Sequence, residues 1–270
     1  MRMSKIAFLG AGNMATALVD GLLAQTPTEL ANLVCFSPSG KTSASLAART
    51  GIGLAASLDE LLAEADLVVV AFKPQHLASA DPRLAGLTKG KLVMSVLAGK
   101  RLARLAQVFP DARNIVRAMP NTPAAIGAAI TPFCALKPLD SSDRGLIEKL
   151  LGACGQYLEL GEEHMNAVTA LSGGGPAFLF EFVAALRDAG MAANLPAEIS
   201  ARLSVETVLG AARLLARREV DPEILRNQVT SPNGTTLAGL ARMQAGNFRG
   251  VMRETILAAQ ARAAELSQDG

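Results

Sequence analysis

Glycine spacing near the start of the chain indicates a site for a dinucleotide. The apolar run Ile6–Leu9 is followed by Gly10, Gly12 and Ala15, a G-x-G-x-x-A arrangement. Gly10 suits a tight turn after a strand, Gly12 lets the backbone approach a pyrophosphate, and the small Ala15 lets the next helix pack closely. The N–H groups at the start of that helix would attract the anion. A glycine-rich turn that binds nothing is the alternative.

The segment after the second predicted strand favours a phosphorylated dinucleotide. An acidic residue at this position would bind the ribose hydroxyls and repel a 2′-phosphate. Here the chain offers the hydroxyls of Ser37 and Ser39 and the cation of Lys41 instead. NADP is therefore favoured over NAD, although an ordinary Ser/Pro/Gly turn has the same composition.

Three more loops follow predicted strands and would line the same crevice, because the carboxyl ends of parallel strands meet at one edge of a sheet. Lys73 would face the cofactor or else solvent, and Asn121 and Thr122 would position a substrate or cap a turn. The three loops are Ala71–Pro74, Ser95–Gly99 and Met119–Pro123.

A second polar loop, Val229–Thr236, opens into the predicted helix Thr235–Ala245 and includes its first two residues. Hydroxyl groups and the N–H groups of the helix start would converge there, which suits a small carboxylate. A helix N-cap without any ligand fits the same residues.

The acid–base inventory is small, and this bears on the reaction. His76 and His164 are the only histidines, and neither has a partner at metal-ligand or triad spacing, so no metal site is predicted. Reduction of a carbonyl needs a proton donor to the alkoxide, whereas reduction of a protonated imine needs only hydride delivery and orientation. The sequence therefore favours an imine substrate.

Alternating strand and helix patterns predict a doubly wound parallel sheet in the first half of the chain. Near-continuous apolar runs are typical of strands that are covered on both faces. The box Ser57–Glu60 predicts a helix start between two of them. The predicted strands are Ile6–Leu9, Leu33–Phe36, Leu67–Phe72, Leu92–Val96, Asn114–Arg117, Ile130–Ala135 and Tyr157–Leu160.

Strand signals stop after about Glu162, and four helices with apolar residues on more than one face follow. We expect another subunit to cover the excess apolar surface; a thick helical layer on the sheet is the alternative. The predicted helices are Pro176–Met191, Ala197–Arg218, Thr235–Ala245 and Phe248–Ser267.

Composition narrows the class of protein. The chain has 270 residues, of which 50% are hydrophobic and 19% charged, with a net charge of +2. This balance gives no electrostatic case for nucleic acid or an acidic membrane. No apolar run approaches about 18 residues and no signal-peptide core is evident, so we expect a cytoplasmic protein without a spanning helix. Cys35, Cys134 and Cys154 show no paired spacing and are expected to be reduced and buried.

Five segments, in order across nearly the whole chain, carry a family resemblance. They are GAGNMA at Gly10–Ala15, AFKPQ at Ala71–Gln75, RAMPNTPA at Arg117–Ala124, LSGGGPAF at Leu171–Phe178 and VTSPNGTTLAGL at Val229–Leu240. Together they resemble the pyrroline-5-carboxylate reductases, the last enzymes of proline biosynthesis. RAMPNTPA and the last segment are the most specific.

The resemblance implies a Rossmann-type domain at 1–161 that binds NADPH, less often NADH, followed by an all-α domain at 162–270 that binds substrate and interlocks two subunits. A homodimer, often assembled further into decamers, is implied, with no nucleic-acid or membrane partner. The implied reaction is hydride transfer to the imine carbon of 1-pyrroline-5-carboxylate, which gives L-proline.

The resemblance also assigns roles to residues. Thr236 matches a threonine thought to hydrogen-bond the ring nitrogen and is the candidate catalytic residue. The predicted cofactor contacts include Ser37 and Ser39, which were argued from the segment after the second predicted strand. The full set is Gly10, Ala11, Gly12, Asn13, Met14, Ser37, Ser39, Ala71, Phe72, Lys73 and Pro74. Predicted substrate contacts are Val229, Ser231, Gly234, Thr235 and Thr236.

The chain departs from the family pattern at three places. Gly174 and Phe178 replace a usual Ser and Tyr, which puts a polar role of that turn in doubt, and Ser37–Lys41 differs from the common Asn-Arg form. Two rival functions stay open. A β-hydroxyacid dehydrogenase would need a lysine that is missing between Gly161 and Gly270, and a non-catalytic NADPH sensor would leave the substrate loop unexplained.

Overall fold

The computed structural model describes residues 4–268, and of residues 27–29 the backbone only, and it contains an eight-stranded sheet. The order across the sheet is β3-β2-β1-β4-β5-β6-β7-β8. The strands are β1 Ile6–Leu9, β2 Leu33–Phe36, β3 Gly53–Leu54, β4 Leu67–Val70, β5 Leu92–Ser95, β6 Asn114–Ala118, β7 Ala129–Ala135 and β8 Gly155–Glu159. The order of the first six strands is that of a Rossmann fold with its switch point between β1 and β4, which confirms the predicted fold class.

The direction of the last two strands differs from the prediction. β1 to β6 are parallel, but β7 pairs antiparallel with β6 and β8 runs parallel to β7. Only ten residues, 119–128, join β6 to β7, and they hold one short 3₁₀ turn, Thr122–Ile126. A connection of this length has no crossover helix, so the chain returns in the opposite direction.

The core lies on both faces of the sheet, which explains the near-continuous apolar strands. Ile6 and Phe8 of β1 pack on one face, and Ala7 and Leu9 on the other, all at most 4% exposed. Helices α1 Asn13–Gln25, α2 Lys41–Thr50 and α6 Ser141–Gly152 cover the first face. Helices α3 Leu58–Leu62, α4 Leu84–Leu87 and α5 Leu102–Val108 cover the second.

The predicted start of α3 is confirmed in its geometry. The Ser57 hydroxyl accepts a hydrogen bond from the N–H of Glu60 at 3.1 Å. The Glu60 carboxylate accepts in return from the N–H of Ala56, at 2.8 Å. The first bond satisfies an N–H group that the helix itself leaves without a partner, and the second reaches the residue before the N-cap instead of the N-cap itself.

The chain divides into two compact units: one reaches Gly174 and resumes at Ala258, and the other is Gly175–Leu257. The first predicted domain begins at residue 1 and the second ends at residue 270. Residues 1–3 and 269–270 lie outside the described residues. The remaining helices are α7 Met165–Val168, α8 Gly175–Ala192, α9 Ala197–Arg218, α10 Pro222–Gln228, α11 Thr235–Ala245 and α12 Phe248–Gln268. Of these, α8, α9, α11 and α12 match the four predicted helices to within one residue, and α7 and α10 are additional.

The second unit has no apolar core of its own. Within residues 175–257, all of which the structure describes, the buried residues are Ser200, Ser204 and Gly250. Large apolar side chains are exposed instead, among them Phe180 at 66% and Leu203 at 51%. Such a surface requires cover from another molecule.

A continuous helical stretch, Glu162–Ala192, crosses from the first unit into the second. By length and composition alone it qualifies as a membrane-spanning helix, and hardly any of its most apolar part is buried. The expectation of no spanning helix rested on contiguous apolar runs, and this stretch escapes that criterion because glycine and serine interrupt it. Residues Thr169–Gly173 form a π turn within it.

Candidate functional site

Three loops of the first unit converge at the switch point of the sheet. The N–H of Gly10 donates to the carbonyl of Phe36 at 2.8 Å, and the N–H of Ala71 donates to Leu9 at 2.9 Å. Gly10 has φ +105°, and a Cβ there would lie 2.5 Å from the amide nitrogen of Phe72. Only glycine allows this turn, because both the positive φ and the close approach exclude a side chain.

Gly12 has a different reason to be glycine. Its φ of −82° suits any residue, and a Cβ at this position would meet no atom within 4 Å. It is the N-cap of α1 and supplies no side-chain hydrogen bond, so no N-cap side chain covers the first-turn N–H groups, and Gly12 and Asn13 are exposed. Ala15 is fully buried against the sheet. The residues therefore fit a pyrophosphate at the helix start.

The Ser37 hydroxyl is held inside the loop after β2. Its Oγ lies 3.0 Å from Ser43 Oγ, accepts from Thr42 Oγ1 at 3.1 Å, and accepts from the N–H of Ser43 at 3.4 Å. Ser43 Oγ in turn donates to the Gly40 carbonyl at 3.1 Å, so Ser37 is the donor in the first contact. A hydroxyl has one donor and two acceptor positions, and all three are used.

Sequence reasoning did not identify Thr42 and Ser43. Their signal is two hydroxyl residues at the start of a helix, five and six residues after Ser37. Ser39 and Lys41, by contrast, are exposed at the same loop and remain accessible. The structure thus gives Ser37 a shaping role and presents Ser39 and Lys41 outward.

The loop after β4 runs from Ala71 into a 3₁₀ turn that begins at Pro74. Ala71 and Phe72 are half-buried beside Gly10, Pro74 is half-buried, and Lys73 is exposed. The position of this loop agrees with the cofactor contacts predicted for it, which stay predictions.

Asn121 closes a turn. Its Nδ2 donates to the Ser172 carbonyl and its Oδ1 accepts from the N–H of Ile130, both at 3.2 Å. This geometry favours the capping role over direct substrate contact.

The second unit brings the predicted substrate residues together between α10 and α11. Gly234 is the N-cap of α11 without a side-chain hydrogen bond, and a side chain there would collide with Ser231 Oγ. Asn233 takes the left-handed conformation with φ +59°, which turns the chain into the helix. Val229 is 67% exposed at the start of this loop.

The hydroxyl groups of this loop differ in availability. Thr230 Oγ1 donates to the Arg226 carbonyl at 2.7 Å and is committed to α10. Ser231, Thr235 and Thr236 are exposed, and within residues 4–268 their hydroxyls make no hydrogen bond. Three free hydroxyls at a helix N-terminus form a suitable receptor for a carboxylate and a ring nitrogen.

The thiols contribute no nucleophile. Burial, as the main cause, raises the pKa of Cys134 and that of Cys154 to about 11, and it also raises the pKa of Cys35. All three are free and buried, as expected, so they remain protonated at neutral pH.

Comparison with known proteins decides the family. A family model for pyrroline-5-carboxylate reductase dimerisation matches residues 162–266, and a model for coenzyme F420-dependent NADP oxidoreductases matches residues 5–99. The chain is 38% identical to a pyrroline-5-carboxylate reductase of Pseudomonas aeruginosa, over 99% of this chain and 98% of that one. It is 36% identical to the pyrroline-5-carboxylate reductase of Arabidopsis thaliana, over 98% of this chain and 96% of that one. The chain belongs to the pyrroline-5-carboxylate reductase family.

Solved pyrroline-5-carboxylate reductases share the fold. The structure from Coxiella burnetii superposes with a TM-score of 0.92 at 32% identity, covering 98% of this chain and 99% of that one. The Plasmodium falciparum pyrroline carboxylate reductase, solved with NADP bound, superposes with a TM-score of 0.86 at 28% identity, and the match covers 99% of each chain. The resemblance predicted from five motifs is confirmed, and the dimerisation model confirms that the helical region serves oligomerisation.

Proposed function

We propose that this chain reduces 1-pyrroline-5-carboxylate to L-proline with NADPH, and less readily with NADH. The observation that carries the proposal is the family match along the full chain, which includes both the glycine turn and the Val229–Thr236 loop. We propose that residues 1–161 bind the cofactor and that residues 162–270 bind the substrate and form the dimer.

The first unit would hold the cofactor. The turn Gly10–Met14 would bind the pyrophosphate through N–H groups of α1, and Ala71–Pro74 would border it. Ser39 would bind the 2′-phosphate, on a loop that the Ser37 hydroxyl keeps in shape. NADPH supplies the hydride when bound.

The second unit would hold the substrate. The N–H groups at the start of α11, with the hydroxyls of Ser231 and Thr235, would bind the carboxylate, and Val229 and Gly234 would shape the loop around it. The Thr236 hydroxyl would hydrogen-bond the ring nitrogen. As the hydride adds to the imine carbon, the electron pair of the C=N π bond stays on this nitrogen, which keeps its proton. One hydroxyl contributes about 1–3 kcal/mol, so orientation supplies most of the acceleration.

A homodimer forms part of the proposal, with decamers as a further level of assembly. The absence of buried apolar side chains in residues 175–257 supports it, because a second copy would cover that surface. The same cover explains the exposed helix Glu162–Ala192 without a membrane. We place the enzyme in the cytoplasm, with a small-molecule substrate and no nucleic-acid partner.

Turnover tests the proposal. On addition of 1-pyrroline-5-carboxylate, the absorbance of NADPH should fall, and L-proline should appear in equal amount. A β-hydroxyacid dehydrogenase would instead reduce NADP when given a 3-hydroxy acid. Lack of turnover with both NADPH and NADH would contradict the proposal.

A further inference from the structure

Arg117, next to last in β6, is a buried cation. It is 3% exposed, and its Nη1 donates to Oε1 of Glu162 at 3.1 Å. A buried guanidinium is costly unless it is paired and hydrogen-bonded, so the pair is a fixed part of the first unit.

The same oxygen of Glu162 has a second donor. Oε1 also accepts from the N–H of Leu102, the first residue of α5, at 2.7 Å. The N-cap of α5, Arg101, supplies no side-chain hydrogen bond, so Glu162 caps the helix from 60 residues away. We call Leu102, Arg117 and Glu162 the Glu162 clasp.

The clasp joins two loops on one side of the switch point. Leu102 directly follows the loop after β5, and Arg117 lies one residue before the end of β6, next to the loop that follows it. In this strand order, the loops after β1 to β3 bind the adenosine half of a dinucleotide, and the loops after β4 to β6 bind the nicotinamide half. Both loops therefore belong to the nicotinamide half. Glu162 is also the first residue of the segment that matches the dimerisation model.

We infer that Glu162, together with Arg117, is a positioning residue that fixes the loops after β5 and β6 and thereby sets the nicotinamide half of the cofactor site. The predicted change in kcat rests on the proposed function, because it requires the enzyme to turn over. The binding readout does not depend on turnover.

A second ion pair provides a matched control at the opposite end of β6. Arg113, just before β6, donates from Nε and Nη2 to Oδ1 of Asp143, at 2.9 and 2.6 Å. Asp143 is buried like Arg117, but this pair lies at the amino end of the strand, away from the crevice. Loss of either pair disturbs the same strand, and only the clasp borders the site.

The experiment compares Glu162→Gln with Asp143→Asn. Calorimetry measures the Kd of NADPH and of 2′,5′-ADP, which carries only the adenosine half, and steady-state assays measure kcat after wild-type turnover is established. For Glu162→Gln we expect the Kd of NADPH to rise and kcat to fall, each by roughly tenfold or more, while the Kd of 2′,5′-ADP changes less than about twofold. Asp143→Asn should leave all three values within about twofold of the wild type.

Three results would overturn the inference: unchanged NADPH affinity and kcat in folded Glu162→Gln, equal weakening of both ligands, or the same pattern in Asp143→Asn. If Glu162→Gln does not fold, the double variant Arg117→Gln/Glu162→Gln, which leaves no buried charge unpaired, takes its place with the same expectations. A wild type that binds NADPH but does not turn over would count against the proposed function alone, because the two binding constants still test the clasp.

Discussion

Ser37 Oγ lies 3.0 Å from Ser43 Oγ, and this contact turns the Ser37 hydroxyl into the protein. The loop after β2 is thus braced by its own hydroxyls. Ser39 and Lys41, which are exposed on the same loop, are left to meet a ligand. Discrimination between NADPH and NADH should therefore depend on the outward residues, and only indirectly on Ser37.

Replacement of Lys41 tests this division. A charge-assisted bond to phosphate is worth about 1.4 kcal/mol or more, so Lys41→Ala should raise the Kd of NADPH about tenfold and leave that of NADH unchanged. Lys89→Ala is the control, since Lys89 is exposed in the turn before β5, at the amino end of the sheet. Equal losses for both cofactors would show that Lys41 does not meet the 2′-phosphate.

The two glycines of the turn should respond differently to alanine. Gly10→Ala places a Cβ 2.5 Å from the Phe72 nitrogen at φ +105°, and should destabilise the fold by about 2–4 kcal/mol. Gly12→Ala meets no protein atom and should lower the free energy of unfolding by at most about 1 kcal/mol, the cost of alanine at an N-cap, but the methyl group enters the space of the pyrophosphate. NADPH affinity measured by calorimetry should then fall in Gly12→Ala. A stable Gly12→Ala that binds NADPH normally would place the pyrophosphate elsewhere.

Thr236 is expected to act on the reaction and not on cofactor binding. Loss of one hydrogen bond to the ring nitrogen should lower kcat about 10- to 100-fold in Thr236→Ala, with the Kd of NADPH unchanged. Thr236→Ser keeps the hydroxyl and should retain most of the activity. The control is Thr255→Ala, because the Thr255 hydroxyl only bonds the Val251 carbonyl within α12. An NADPH sensor would be indifferent to all three changes.

The buried thiols predict an alkaline loss of stability. The pKa values of Cys134 and Cys154 are about 11 in the folded chain, against an ordinary value of 9.0. The unfolded state releases these protons first, so the free energy of unfolding falls as the pH rises from 9 to 11 and is unaffected below 9. Denaturant titrations at several pH values measure this slope.

A double variant supplies the control for the thiols. Cys134→Ala/Cys154→Ala should show a shallower decline between pH 9 and 11, since the two titrating groups are gone. At pH 8 a thiol reagent should label the folded wild type slowly and all three cysteines after denaturation. Rapid labelling of the folded chain would contradict their burial.

Assembly should be evident in solution. Sedimentation equilibrium should give at least twice the chain mass of 28.0 kDa at micromolar concentration. Each large apolar side chain covered on association, such as Phe180 or Leu203, contributes about 1.5–3 kcal/mol. A folded monomer at that concentration would rule out the proposed dimer.

Local patterns made much of this fold predictable. β1, β2 and α9 were placed at their observed bounds, because apolar period and cap residues are properties of adjacent positions. The strand β7 was predicted at Ile130–Ala135, but its antiparallel direction was not, because strand direction depends on the length and path of the connection and not on the strand itself. The two-residue β3, Gly53–Leu54, is too short to give a pattern.

The candidate site could be proposed from the sequence where one short segment builds it, and its ligand contacts stay predictions. Gly10 and Gly12 lie in a single turn, and Ser231 to Thr236 lie in another. The inward direction of the Ser37 hydroxyl and the Glu162 clasp could not be predicted, since both depend on contacts that form only in the folded chain. Arg117 and Glu162 are 45 residues apart, and nothing in the sequence of either pairs them.

Isotope transfer tests the central claim most directly. NADPH that carries deuterium as its transferable hydride is mixed with 1-pyrroline-5-carboxylate and the enzyme, and the product is examined by NMR and mass spectrometry. We predict L-proline with one deuterium on the ring carbon next to nitrogen that was the imine carbon. Proline without deuterium at that carbon, or no proline, would contradict hydride transfer by this chain.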